Sequence, residues 1–175
     1  MRLVVSYDHE VIKAAVAGEL PGVEWQRCTV HFQRNVLAHV PARAMGEVAE
    51  DLKAMLKVSR EKKAKALVEE YVELYGKRYS KAVSVFEAGV GDALTYLRYP
   101  GSHHARIRTT SVPERLFKEV KRRTRVVGVF PNETSAQMLA TEIILRSSEE
   151  WALKRYLVME ALEAAEKPNP QLSRH

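Results

Sequence analysis

Glu114 is the side chain best placed for chemistry, because it opens a predicted helix that carries a dense run of positive charge. The sequence predicts Ser111 as the N-cap of this helix and Pro113 in its first turn, where a missing amide N–H costs little. The helix dipole favours a carboxylate at that position. Residues 114–125 contain two acidic and six basic residues, a local net charge of +4. The six are Arg115, Lys118, Lys121, Arg122, Arg123 and Arg125.

A carboxylate beside a basic helix is typical either of a metal ligand next to a track of phosphate contacts or of a solvated helix face. The i, i+3 and i+4 spacing places four of the cations on one side of the helix, namely Lys118, Lys121, Arg122 and Arg125. Contacts of this kind go to phosphate oxygens, so they predict nucleic-acid affinity that falls steeply with salt and has little sequence preference.

A second polar cluster, residues 6–10, follows the first predicted strand. Polar residues at the carboxyl end of a sheet strand lie where α/β folds place their active sites. A hard divalent cation such as Mg²⁺ prefers carboxylate ligands, so Asp8 and Glu114 are the candidate metal ligands and catalytic acids. The alternative is that Asp8 caps the helix that follows it.

Two further groups of residues are candidates for binding. Cys28 and His31 have the Cys-x2-His spacing of half a zinc site, but no second pair lies at a plausible distance, which favours a buried cysteine and a histidine at a strand–helix junction. His103 and His104 precede Arg106 and Arg108. That segment predicts either phosphate contact, with Arg108 as a DNA-binding residue, or a solvated loop.

The elements that position these residues begin as α/β and then become helical. Periodicity predicts strands over 2–6 and 23–30, the second with Val23, Trp25, Cys28 and Val30 inward. Helices are predicted over 9–18 and 31–40. The inward face of the first comprises Val11, Ile12, Ala15 and Val16.

From residue 44 the spacing is that of tandem helices, which suggests a small bundle. One stripe comprises Val48, Leu52, Met55 and Leu56, and a second comprises Ala64, Leu67, Val68, Tyr71, Val72 and Tyr75. A third helix, 80–98, is interrupted at Gly89 and Gly91. Residues 104–109 are predicted as a strand or an extended approach to the Glu114 helix, and 126–130 as a short strand or turn.

Two predicted helices close the chain. The first spans 132–147, with Asn132 as N-cap and with Met138, Leu139, Ile143 and Ile144 inward. The last spans 148–166, and residues 167–175 are predicted to be disordered.

Composition bounds the class of protein. The chain has 175 residues, 46% of them hydrophobic, and a net charge of +6, so nucleic acid or another polyanion is the first partner to consider. A single cysteine excludes an intrachain disulfide and fits a reducing compartment. No apolar run approaches the ~20 residues that a bilayer span requires, so no membrane partner is expected.

Three strings together resemble the Mutator-type transposases of bacterial insertion sequences. Residues 25–35, from Trp25 through Cys28 and His31 to Asn35, look like that family's Trp-Gln-Arg-Cys-x-x-His-x-x-Arg-Asn signature. Residues 108–115 and 122–131 look like the segment around its third catalytic acid, and Trp151 with Arg155 and Tyr156 resembles its closing helix. The likeness covers roughly residues 3–162.

The resemblance implies an α/β, helix-rich chain: the C-terminal part of an RNase H-like fold with an all-α insertion. It implies a partial catalytic core over 1–43, the insertion over 44–100, and the remainder of the core over 101–166. The implied activity is metal-dependent cleavage and transfer of DNA strands by an Asp-Asp-Glu triad with Mg²⁺. Glu114 would be the third acid, and Cys28 and His31 the structural Cys-x2-His motif.

The resemblance also implies what this chain lacks. The family's first Asp lies upstream of Met1, and its second Asp falls at Tyr7, with Asp8 one residue late. One step along a strand points a side chain to the opposite face, so Asp8 is not an automatic replacement. We therefore expect a truncated transposase that is inactive alone. On either reading the expected location is the cytoplasm, in association with the nucleoid. The alternative function is that of a remnant without catalysis that binds DNA, an intact transposase or itself.

Overall fold

The computed structural model describes residues 1–154 and 156–166, and these residues form two compact units. The first unit comprises residues 1–109 and 159–166, and the second comprises the described part of 110–158. Among the described residues, no helix is both long and apolar enough to cross a membrane.

The first unit begins with a βαβ arrangement. Strand β1 (Leu3–Ser6), helix α1 (Glu10–Glu19) and strand β2 (Glu24–Arg27) follow one another, and β1 pairs in parallel with β2. The register places Leu3 opposite Glu24 and Ser6 opposite Arg27. These are the only two strands in the described part of the chain. The structure is therefore helix-rich with a small two-stranded sheet.

The predicted strand 23–30 is too long. It ends at Arg27, because Cys28 is the N-cap of helix α2 (Thr29–Leu37) and Val30 already lies on that helix, exposed. The inward face predicted for α1 is also mostly wrong. Val16 is the one buried residue on that helix, and Val11 is 69% exposed.

A helical bundle follows, as the apolar stripes predict. It contains α2, α3 (Met45–Met55), α4 (Glu61–Tyr75) and α5 (Ser80–Ala93). Its core includes every residue of the first predicted stripe and, from the second, Tyr71 and Tyr75, with Leu67, Val68 and Val72 packed against them. Short 3₁₀ turns cover Ala42–Ala44 and Thr95–Arg98.

The sequence predicts an interruption of the third helix at Gly89 and Gly91, but α5 continues through both residues. Gly89 instead lies where α5 meets the side chains of Arg27 and Phe32. A Cβ on Gly89 would overlap Arg27 Nη1 and would lie 3.0 Å from Phe32 Cε2. The glycine therefore permits a close approach between α5 and the segment that contains β2 and α2.

Residues 101–107 form helix α6 (Gly101–Ile107), so the strand or extended approach predicted over 104–109 is wrong. The solvated loop predicted for the two histidines is wrong as well, because His103 and His104 are 2% and 7% exposed. His104 Nε2 lies 2.7 Å from the carbonyl oxygen of Tyr99, and its ring packs edge-on against Tyr96. Tertiary packing turns this polar segment into a helix that buries its two histidines.

The second unit is a hairpin of helices α7 (Ser111–Val127) and α8 (Glu133–Ala152). Gly128 ends α7 with a φ of 76°, and Asn132 caps α8 as predicted, since its Oδ1 accepts a hydrogen bond from Ser135 N at 2.8 Å. None of the described residues on these two helices is buried.

The predicted inward face of α8 is partly wrong, because Met138 and Ile144 are exposed while Leu139 and Ile143 are half-buried. The boundary predicted between residues 147 and 148 is wrong too, since α8 continues to Ala152. The last helix is α9 (Met159–Glu166), which belongs to the first unit. Arg155 and the tail 167–175 lie outside the described residues.

Candidate functional site

Glu114 occupies the first turn of α7, as the sequence predicts. The N-cap residue is Thr110, one position before the predicted Ser111, which is the first residue of the helix. The Thr110 hydroxyl donates a hydrogen bond to Glu114 Oε1 at 2.5 Å. Pro113 is the third helical residue, where no amide N–H is needed. A threonine hydroxyl and a helix start thus orient a single exposed carboxylate.

The cations predicted to share one side of α7 do so. Lys118, Lys121, Arg122 and Arg125 line one surface depression together with Glu114. Phe117, which is 60% exposed, lies among them. This set of six residues is called the α7 face below. A row of cations beside an aromatic ring is suited to binding a polyanion.

Ion pairs reduce the positive charge of that helix. Glu119 Oε1 lies 2.7 Å from Arg122 Nη2 and 2.8 Å from Arg123 Nε. Hydrogen bonds from Arg122, and then from Arg123, lower the pKa of the Glu119 carboxyl to about 2. In the part of the chain that the structure describes, Lys118, Lys121 and Arg125 form no ion pair. These three cations are therefore the ones most available to an anionic partner.

The other two predicted cations differ in their settings. Arg115 Nη2 lies 3.5 Å from Tyr156 Oη, which is a long contact. Arg108 belongs to the first unit, and its carbonyl oxygen accepts a hydrogen bond from Thr29 N at 2.9 Å. Its half-buried side chain lines a cavity together with Lys53 and Lys57.

Asp8 lies in the first unit and is held by two cations. Its Oδ2 lies 3.0 Å from Arg27 Nη2, and its Oδ1 lies 2.9 Å from Lys13 Nζ. Hydrogen bonding to Asp8, and then to Glu10, raises the pKa of Lys13. The capping role considered for Asp8 is wrong, because His9 is the N-cap residue of α1 and no side chain accepts the capping hydrogen bond. The position of Asp8 is that of a structural ion pair.

Arg27 is the buried cation that holds Asp8, and the sequence pattern does not reveal its burial. Its side chain is 7% exposed, and its guanidinium lies 5.0 Å from the centroid of the Phe32 ring. With the Asn35 amide assigned to satisfy both of its hydrogen bonds, Asn35 Oδ1 accepts from Arg27 Nη2 at 3.0 Å. Arg27 therefore connects the end of β1, the helix α2 and the close approach at Gly89.

Tyr7, at the end of β1, is half exposed and contacts two histidines. Its ring centroid lies 6.1 Å from His9 in an edge-on arrangement and 6.1 Å from His31 in a tilted one. Cys28 is fully buried at the start of α2, and His31 lies one turn further on, half-buried. The structure thus brings Tyr7 and His31 together in the first unit, whereas Glu114 lies in the second.

Comparison with known proteins adds to this geometry. The family model described as "Transposase, Mutator family" matches residues 1–154. The chain is 34% identical over 168 residues to the transposase for insertion sequence element ISRM5 of Rhizobium meliloti, covering 95% of this chain and 42% of the relative. It is 34% identical to the transposase for IS256 in transposon Tn4001 of Staphylococcus aureus, covering 85% and 38%. The chain spans about 40% of the length of these relatives.

Proposed function

The chain belongs to the Mutator family of transposases, and from this premise we propose that it acts in the DNA cleavage and strand transfer of an insertion sequence. The single observation that supports this best is the α7 face, where a carboxylate at the helix start is followed by Lys118, Lys121 and Arg125, which form no ion pair among the described residues. The relatives are named transposases for insertion sequence elements. The partner on this proposal is DNA in the nucleoid.

On this proposal the α7 face contacts the phosphate backbone. Lysine and arginine neutralise phosphates and release counterions, so each contact contributes to the salt dependence of binding. Such contacts position the protein on the duplex and carry no sequence information directly. The expected DNA affinity of this chain is therefore largely independent of sequence.

The fold proposed for this chain is RNase H-like, with a partial core over 1–43, a helical insertion over 44–100 and the rest of the core over 101–166. The parallel pairing of β1 with β2 through α1 supports the first assignment. The helices α3, α4 and α5 support the second.

Glu114 is proposed as the third acid of the catalytic triad and as a ligand for a divalent metal ion, Mg²⁺. Its exposed carboxylate at a helix start fits a hard cation. Such an ion, when bound, supplies Lewis-acid stabilisation of charge at a phosphate. Asp8 does not fit as placed, because a metal ion there would have to displace Arg27 and Lys13 from its two oxygens.

A strand-transfer assay tests the proposed activity. The full chain is incubated with DNA carrying a cognate terminal repeat and with Mg²⁺ or Mn²⁺, and Glu114→Gln serves as the matched control. Metal-dependent joining that Glu114→Gln abolishes supports a catalytic role for Glu114, whereas joining that survives the substitution contradicts it.

The second candidate function is DNA binding, or pairing with an intact transposase or a second copy, without catalysis. The ion pairs of Asp8 and the tyrosine at position 7 favour this alternative. Salt-dependent DNA binding without strand transfer supports it. Strand transfer that requires Glu114 contradicts it.

A further inference from the structure

A second basic surface lies on the first unit, where helix α3 ends and helix α4 begins. Residues 53–65 contain six basic residues and one acidic residue, a net charge of +5. The six are Lys53, Lys57, Arg60, Lys62, Lys63 and Lys65. This segment is called the α3–α4 corner below. Its local charge exceeds the +4 of residues 114–125, and nothing in the resemblance assigns it a role.

Most of this charge is uncompensated. Lys53 pairs with Glu50 at 3.0 Å, and Lys65 pairs with Glu61 at 3.0 Å. The remaining four cations are exposed and form no ion pair within the described ranges 1–154 and 156–166. They are Lys57, Arg60, Lys62 and Lys63. Clustered cations of one sign repel one another, so a bound polyanion relieves a cost that the free protein carries.

A cavity next to this corner has the chemistry of a phosphate site. It has a volume of about 220 Å³, and Lys57 and Arg108 both line it. The hydroxyl-bearing Thr29 and the amide-bearing Gln33 line it too. Gln33 Nε2 is committed to the carbonyl oxygen of Ala49 at 2.8 Å. Lys53 also lines the cavity but pairs with Glu50, so Lys57 and Arg108 are the cations that would neutralise a phosphate.

We propose that the α3–α4 corner, with Lys57 and Arg108 at its cavity, is a second binding site for the phosphodiester backbone of DNA. This inference rests on the proposed function, because it extends the DNA contact from α7 in the second unit to the helical bundle of the first. A backbone phosphate seated between Lys57 and Arg108 gains two charge-assisted contacts, and the neighbouring exposed cations, Arg60, Lys62 and Lys63, are available to further phosphates.

The test is the salt dependence of binding to a random-sequence duplex, measured by fluorescence anisotropy with the full chain between 50 and 200 mM salt. Each lost phosphate contact makes the slope of log K against log salt less negative by about 0.9. Lys57→Ala with Arg108→Ala should therefore change the slope by about 1.8. Between 50 and 200 mM salt, the factor by which the affinity falls should therefore be about 12-fold smaller for the variant than for the unmodified chain.

The matched control is Lys77→Ala with Lys81→Ala, which removes the same charge. These exposed lysines flank the other end of α4, roughly 20 Å from the corner at 1.5 Å per residue. Since Arg108 is half-buried, Lys62→Glu with Lys63→Glu provides a surface variant, and Lys77→Glu with Lys81→Glu is its control. The corner variants should weaken binding and make the slope of log K against log salt less negative. The control variants should leave that slope unchanged.

The outcomes separate this inference from the proposed function. Equal effects of the corner and control variants overturn the inference, because the charge would then act only at long range. An unchanged slope for the corner variants, with a loss on substitution of Lys118 and Lys121, overturns the inference and leaves the proposed function standing. If the unmodified chain does not bind the duplex at 50 mM salt, both are wrong.

Discussion

Arg27 Nη2 lies 3.0 Å from Asp8 Oδ2. This ion pair joins Arg27, the buried last residue of β2, to the segment that directly follows β1. The guanidinium is buried, whereas the Asp8 side chain is 28% exposed. A buried cation that loses its partner is costly, because it has already given up its hydration. The pair therefore stabilises the region where Tyr7 and His31 meet. In it Arg27 binds the carboxylate of Asp8, one of the two metal ligands that the sequence predicts.

We expect Arg27→Ala to lower the free energy of unfolding by about 2–3 kcal/mol, less than the ~3–5 kcal/mol of a fully buried pair because the Asp8 side chain is partly exposed. Asp8→Ala should also destabilise, and the double variant should cost less than the sum of the two. Lys13→Ala, which removes the more exposed partner of Asp8, should cost less than about 1 kcal/mol. Urea unfolding measures all four, and strictly additive effects of the first two substitutions would contradict the pair.

Gly89→Ala should destabilise the chain by about 1–3 kcal/mol, because the new methyl group forces the Arg27 guanidinium off its position over Phe32. Gly91 provides the control on the same helix, since nothing lies within 4 Å of a Cβ placed there. Gly91→Ala should stabilise by about 0.5–1 kcal/mol through helix propensity alone. Thermal unfolding compares the two, and equal effects would exclude the close approach.

The helical bundle could be predicted from the sequence because its apolar residues recur at 3.6 spacing along α3 and α4. The junction of β2 with α2 could not, since the alternation of residues 23–30 continues across Cys28, where the backbone changes from strand to helix. Buried polar residues were missed for a related reason. Gln26 is buried because its amide oxygen accepts from Tyr96 N at 2.6 Å and its nitrogen donates to the Ala93 carbonyl at 2.8 Å, partners about 70 residues away.

The candidate site is likewise only partly predictable from the sequence. The basic side of α7 follows from helical spacing, so Lys118, Lys121 and Arg125 were identifiable in advance. The ion pairs of Asp8 depend on Arg27, whose burial no local pattern indicates. The net charge of the α3–α4 corner can be counted from the sequence. The cavity that Lys57 and Arg108 both line cannot be predicted in that way, because it depends on how distant segments pack.

Glu119 should titrate with a pKa of about 2, against an ordinary value of 4.5, because Arg122 and Arg123 donate hydrogen bonds to its carboxylate. A depressed pKa in the folded chain means that this pairing stabilises the fold above about pH 4.5, and that the contribution is lost as the pH falls through about 2. Carbon-13 NMR of the glutamate side chains measures the titration. Substitution of both arginines by glutamine should return the pKa towards 4.5; a wild-type midpoint already near 4.5 would rule out the paired geometry.

The α7 face is tested most directly by the salt dependence of DNA binding. Lys118→Ala, Lys121→Ala and Arg125→Ala together should make the slope of log K against log salt less negative by about 2.7, at about 0.9 per phosphate contact. Lys77→Ala, Arg78→Ala and Lys81→Ala remove the same charge from the α4–α5 connection and should leave the slope unchanged. An α7 triple variant with the slope of the unmodified chain would contradict the account that α7 contacts the DNA backbone.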